Sequence, residues 1–138
     1  MIKKKPTVSK VKRKAWIEFS KFIRNRDSSR LGCRCYTCEK YYPIKLMQAG
    51  HYVSRRINAT LFNEMNVNSQ CYNCNINLKV NQVTYRENLV KDYGEHQVKF
   101  LESQRHTLKQ WKVYELEVLY QKYKALNATE SKAFGGTY

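Results

Sequence analysis

Cys35-Tyr36-Thr37-Cys38 and Cys71-Tyr72-Asn73-Cys74, with Ala49-Gly50-His51-Tyr52 between them, decide how this chain is read. Each Cys-x-x-Cys pair presents two sulfurs from one tight turn. Two such turns complete a tetrahedron around zinc at ~2.3 Å per bond. Four thiolates leave no open coordination position, so the metal this spacing predicts is structural, not catalytic. A redox dithiol or chance spacing are the competing readings, and two pairs in one chain favour zinc. A fifth cysteine, Cys33, breaks the spacing and is taken as the spare, although Cys33 to Cys38 is also a permitted ligand gap. The binding energy of such a metal is folding energy, so the chain is expected to be largely unfolded without it.

Working outward, 138 residues amount to one domain, too short for a large closed core without a staple. The net charge of +15 is uneven. Residues 1–30 hold eleven Lys or Arg against Glu18 and Asp27, a net of +9, whereas residues 86–138 are nearly balanced. That asymmetry predicts a polyanion engaged from one side, with nucleic acid ahead of an anionic membrane. No apolar stretch approaches the ~20 residues of a spanning helix, and no apolar segment follows the basic start. The expectation is a cytoplasmic protein, where disulfides are disfavoured and cysteines turn to metal.

Residues 1–8 read as a basic flexible arm. Val11, Ala15, Trp16, Phe19, Phe22 and Ile23 then recur at three- and four-residue steps, which predicts an amphipathic helix with a basic outer face carrying Lys12 and Arg13. Tyr41 to Ile44 and Gln48 to Val53 have strand-like content and are expected to pair as a short hairpin, with His51 on its second strand. Residues 55–65 read as loop. The second knuckle should open a helix. Residues 82–103 read as helical with a break at Tyr93-Gly94, and Leu108, Trp111, Tyr114, Val118, Leu119 and Tyr123 predict a last helix. A knuckle, a hairpin and a second knuckle opening a helix describe a treble clef. The fold class is therefore α+β: a zinc-stabilised core of β-hairpin plus helix, flanked by an N-terminal basic helix and C-terminal helices.

Hydrolysis of a phosphodiester needs an activated water, a cation near the phosphate and help for the leaving oxygen. A histidine suits the first task if a partner fixes its tautomer. His51 lies between the knuckles, and Asn66 stands five residues before Cys71, where an amide could fix the loop around it. Asn75 directly follows the second knuckle and could reach a divalent ion, or could simply cap a helix. Arg55 and Arg56 could be a solvated pair, but beside His51 they more plausibly meet phosphate through the guanidinium fork. Lys79 and Arg86 are weaker versions of the same argument. Tyr41, Tyr42 and Tyr52 could stack on bases, with core packing the better explanation. His96 and His106 have no supporting neighbours.

Here the residues resemble a family. Cys35-x-x-Cys38, Gly50-His51, Asn66 and Cys71-x-x-Cys74-Asn75 are similar to an HNH (ββα-metal) endonuclease that ends in Asn in place of the last His. The likeness is closer still to the phage NinG or Rap recombination proteins. It is carried by Trp16-Ile17-Glu18-Phe19-Ser20, Ile23-Arg24-x-Arg26-Asp27, Gln48 to Arg55, Phe62-Asn63-Glu64-x-Asn66, Gln70-Cys71, Asn81 and Tyr85-Arg86, and covers about residues 15–100. The resemblance implies nicking of branched DNA, such as Holliday junctions and D-loops, with magnesium or manganese. His51 would be the general base, Asn66 would orient its loop, Asn75 would bind the cation and Arg55 would contact phosphate. One residue departs from the HNH pattern: the acid that usually precedes the histidine is Gly50, which has no ligand atom. Glu64 or Asn81 could take its place.

The domain reading is an arm at 1–8, an HNH-like nuclease domain at 9–104 including the N-terminal helix, a C-terminal helix at 105–130 and a tail at 131–138. A zinc-stabilised DNA-binding module without chemistry is the alternative, and an adaptor whose charge only confers solubility is the third. Cutting two strands would favour a homodimer, with the last helix as its interface or as a lid on its own core.

Overall fold

The computed structural model describes residues 4–133, and the side chains of residues 78–80 and 130–133 lie outside that description. The start of the expected arm and most of the expected tail are therefore outside the described residues. The chain forms two compact units, residues 1–22 with 110–138, and residues 23–109.

In the first unit, helix α1 (Val8–Arg26) contributes its residues up to Phe22, and α5 (Val113–Ala133) contributes the rest. The predicted stripe buries Val11, Ala15 and Phe19, and α5 buries Leu116 and Tyr123. Tyr123 stacks edge-on to Phe19 at 4.9 Å and lies 5.0 Å from Phe22. Asn127 donates to the Glu18 carbonyl at 2.9 Å and carboxylate at 2.8 Å, joining the two helices by polar contacts as well. The last helix was expected from Leu108. It begins at Val113, and Leu108 is 99% exposed. The apolar spacing of Leu108 and Trp111 belongs to an extended approach, not to the helix.

The second unit begins with the final turn of α1. Two small antiparallel sheets follow. One is ordered β1 (Ser28–Ser29), β2 (Gly32–Arg34) and β3 (Tyr41–Tyr42); the other pairs β4 (Gln48–His51) with β5 (Val67–Gln70). The hairpin expected between Tyr41–Ile44 and Gln48–Val53 does not form. Tyr42 pairs with Cys33 instead, a 3-10 turn occupies Ile44–Leu46, and Gln48 pairs with Gln70. The partner taken by β4 has no apolar alternation to announce it. All four β5 residues are buried although Asn68, Ser69 and Gln70 are polar. Their side chains are matched individually. Asn68 donates to the Met65 carbonyl and to the Tyr85 hydroxyl, Ser69 to the Ile23 carbonyl, and Gln70 to Thr37.

A short helix α2 (Tyr72–Ile76) follows β5 directly, then α3 (Leu78–Tyr93) and α4 (Glu95–Ser103). The break predicted at Tyr93-Gly94 is present. Gly94 has φ 90°, a conformation that suits glycine at a helix end. Tyr85 and Leu89 of α3 and Val98 and Leu101 of α4 enclose Tyr52 and Val53, which continue the chain from β4. This core holds the segment carrying His51 from below. No helix among the described residues is long and apolar enough to cross a membrane.

Candidate active site

The first Cys-x-x-Cys lies in the turn between β2 and β3; Cys71 caps α2 and Cys74 lies within it. The sulfurs of Cys35, Cys38, Cys71 and Cys74 all lie within 4.8 Å of one another. Cys38 and Cys71 are 4.0 Å apart, close to the ~3.8 Å edge of a tetrahedron with zinc-length bonds. An all-thiolate set of this size fits a metal ion such as zinc. Burial pushes the Cys35 thiol up, but N–H groups of Cys71, Cys38 and Thr37 outweigh it and bring the thiol to about 7. The Cys71 N–H lies 3.4 Å from that sulfur. Cys74, by contrast, is pushed up to about 12 by burial and by Cys71 and Cys35, so metal binding must displace its proton. Cys33 stands outside the cluster. Its thiol points to the Arg24 carbonyl at 3.6 Å, as expected of the spare.

His51 ends β4, and its Nε2 lies 3.1 Å from the Leu61 carbonyl. When Nε2 donates there, Nδ1 carries the lone pair. Burial, reinforced by the charge of Arg55 and opposed by the Leu61 contact, lowers the imidazole to about 4, so the ring is neutral at physiological pH. Asn66 is fully buried and staples the same loop. It accepts from the Val53 N–H at 2.7 Å and donates to the carbonyls of Val53 at 3.0 Å and Thr60 at 3.2 Å. The residues following His51 and the residue preceding Leu61 are thus held by one amide.

Asn75 lies inside α2 and caps no helix; Cys71 and Asn77 occupy the cap positions. Its side chain donates to Gln48 Oε1 at 2.6 Å. Its Oδ1 faces Gly50: a Cβ placed on that glycine would lie 2.9 Å away. Asn75 and the strand carrying His51 are therefore neighbours. Asn81 is turned elsewhere and donates to the Cys74 carbonyl at 3.1 Å.

The basic residues divide. Arg55 and Arg56 are exposed just beyond His51. Arg86 was expected to meet phosphate, but its guanidinium bridges Glu102 at 3.1 Å and Glu95 at 2.7 Å. Those carboxylates engage its Nε, Nη1 and Nη2, so a phosphate would have to compete with them for this guanidinium. The Lys79 side chain lies outside the described residues. Lys12 and Arg13 are on α1 in the other unit, half-buried and exposed respectively. Tyr52 is core, its hydroxyl bonded to Glu102 at 2.6 Å, while Tyr41 is exposed.

Sequence reasoning missed four contributors. The Leu61 carbonyl is backbone and leaves no mark in a sequence. Gln48 and Gln70 belong to the resemblance but carry no role in it. Tyr85 belongs to the resemblance but was given no role; its hydroxyl donates to the Gly50 carbonyl at 2.8 Å, pinning the strand next to His51.

The site defines a class: a small α+β protein with a four-cysteine cluster able to hold a metal ion and a half-buried, backbone-tethered histidine. Residues 2–132 match the family model described as the bacteriophage lambda NinG protein, and the chain belongs to that phage family. Comparison with curated proteins and with solved structures finds no match.

Proposed function

We propose that this protein is a divalent-cation-dependent endonuclease of the HNH type, acting on branched DNA formed in phage recombination. The core would be a treble clef in which the two knuckles and β5–α2 clamp the segment bearing His51. One observation carries the reading: a neutral imidazole tethered through Nε2 to a carbonyl, in a loop stapled by a buried Asn66, on the strand whose Gly50 faces a candidate cation ligand at Asn75.

In this reading Nδ1 of His51 takes a proton from water. The hydroxide attacks phosphorus, the bond to the leaving oxygen breaks, and that oxygen is reprotonated from solvent. The Leu61 carbonyl stabilises the imidazolium formed after proton transfer through the Nε2 hydrogen bond. Arg55 offers a fork to a phosphate near the scissile one. Magnesium or manganese, when bound, would neutralise phosphate charge and stabilise the leaving oxygen. The side chains offered to it are amide oxygens, a donor type such hard ions accept. Two symmetric cuts in one junction would call for a homodimer; solvent-facing Tyr114 and Val118 on α5 leave room for such an interface.

The test is cleavage of a labelled four-way junction beside a matched linear duplex, with zinc-loaded protein, magnesium or manganese, and His51→Ala. Junction cutting that vanishes in the variant while binding persists is the expected result. Tight binding with no cutting under either cation would leave a zinc-stapled DNA-binding module.

A further inference from the structure

Gln70 ends β5 with 1% of its surface exposed, and its Oε1 has no hydrogen-bond partner among the described residues. A buried carbonyl oxygen without a donor costs about 1–3 kcal/mol, so its place calls for an explanation. The oxygen points at Gly50. A Cβ built on Gly50 would overlap Gln70 Oε1 and lie 2.9 Å from Asn75 Oδ1. Two amide oxygens, one from β5 and one from α2, thus converge where a side chain at position 50 would stand. Among the described residues, Gln70 Oε1 meets no donor there. Both amides are also held in this orientation by their nitrogens: Gln70 Nε2 donates to Thr37 Oγ1 at 2.7 Å, and Asn75 Nδ2 to Gln48 Oε1 at 2.6 Å. Two acceptors turned toward one spot repel each other unless something positive lies between them.

We infer that Gln70 Oε1 and Asn75 Oδ1 together form a divalent-cation site over Gly50, with Gln70 supplying the oxygen that an acid at position 50 would otherwise supply. For its purpose this rests on the nuclease reading; as a binding site it stands on geometry alone. The glycine is then required. Any side chain at position 50 would displace the oxygen that replaces it. The ligands carry no charge, which sets the behaviour of the site. Affinity for such ions rises with the number of charged ligands, so two neutral amides and water hold the ion weakly. Phosphate oxygens of DNA supply the missing negative charge, and cation and DNA therefore bind with mutual enhancement.

The experiment uses the zinc-loaded full chain, labelled with nitrogen-15 and free of DNA. Manganese is added in small amounts while the side-chain NH2 signals are followed. The Gln70 and Asn75 signals should broaden selectively. Gln70→Glu should raise manganese affinity about tenfold by adding charge. Gln70→Met, similar in size but without the oxygen, should abolish the selective broadening at Asn75 while zinc content and spectral dispersion are retained. Broadening that spares both amides overturns the site, as does Gln70→Met with unchanged broadening, or Gln70→Glu with unchanged affinity. The nuclease reading fails separately. His51-dependent cleavage without manganese at these amides sinks the site alone; manganese at these amides in a protein that cuts no junction sinks the nuclease reading alone.

Discussion

Asn66 shows how much one side chain can decide. Its three hydrogen bonds all go to backbone groups around His51. Asn66→Ala strands those groups in the interior at about 1–3 kcal/mol each. We expect a loss of about 3 kcal/mol in urea unfolding of the zinc-loaded protein, with metal content unchanged. His51 gives a second prediction. Unfolded, it protonates near pH 6.5; folded, burial delays this to about 4. Between those values the unfolded state binds the extra proton. The stability tied to neutral His51 is therefore complete above pH 6.5 and is lost as pH falls toward 4, by up to about 1.4 kcal/mol per unit. Comparing urea midpoints of wild type and His51→Gln at pH 7.5 and 5.0 isolates this term, because other acid effects cancel. The wild type should lose more. The motif made His51 and Asn66 readable, since both are side chains at a fixed offset from the knuckles. The Leu61 carbonyl that fixes the tautomer was not readable, because its position depends on how residues 52–66 close back on β4.

At the scale of elements, what the sequence disclosed followed periodicity. α1, the break at Gly94 and the helical run of α5 were legible because apolar residues recur at helical spacing or a glycine interrupts them. β5 was not, because three of its four buried residues are polar and most of their partners are 17 to 46 residues away in sequence. With β5 hidden, β4 was paired with the wrong neighbour. Arg86 is the same lesson for charge: the sequence offers it to phosphate and does not disclose that Glu95 and Glu102 face it. Arg86→Ala should therefore lower the melting temperature and leave junction affinity unchanged. Arg55→Ala should do the reverse and reduce the slope of log affinity against log salt by about one. Fluorescence anisotropy at several salt concentrations, with a thermal scan, separates the two.

For the whole molecule, the cysteines outweigh any single contact. A unit with small sheets and a modest core would rely on a metal staple held by these four cysteines. Cys35→Ser should lower zinc content below one per chain and abolish cooperative unfolding of residues 23–109, whereas Cys33→Ser should keep both. Elemental analysis with hydrogen exchange would register the difference. The buried polar strand has one more consequence, for anyone mapping tolerance to mutation across the gene. Val67 to Gln70 would appear there as a block of intolerance resembling a ligand-binding motif. Apolar replacements leave a donor or acceptor stranded, and larger polar ones do not fit. The contacts of Val67, Asn68 and Ser69 all go to groups of the fold itself, so a tolerance map read without the fold would draw any candidate site too wide.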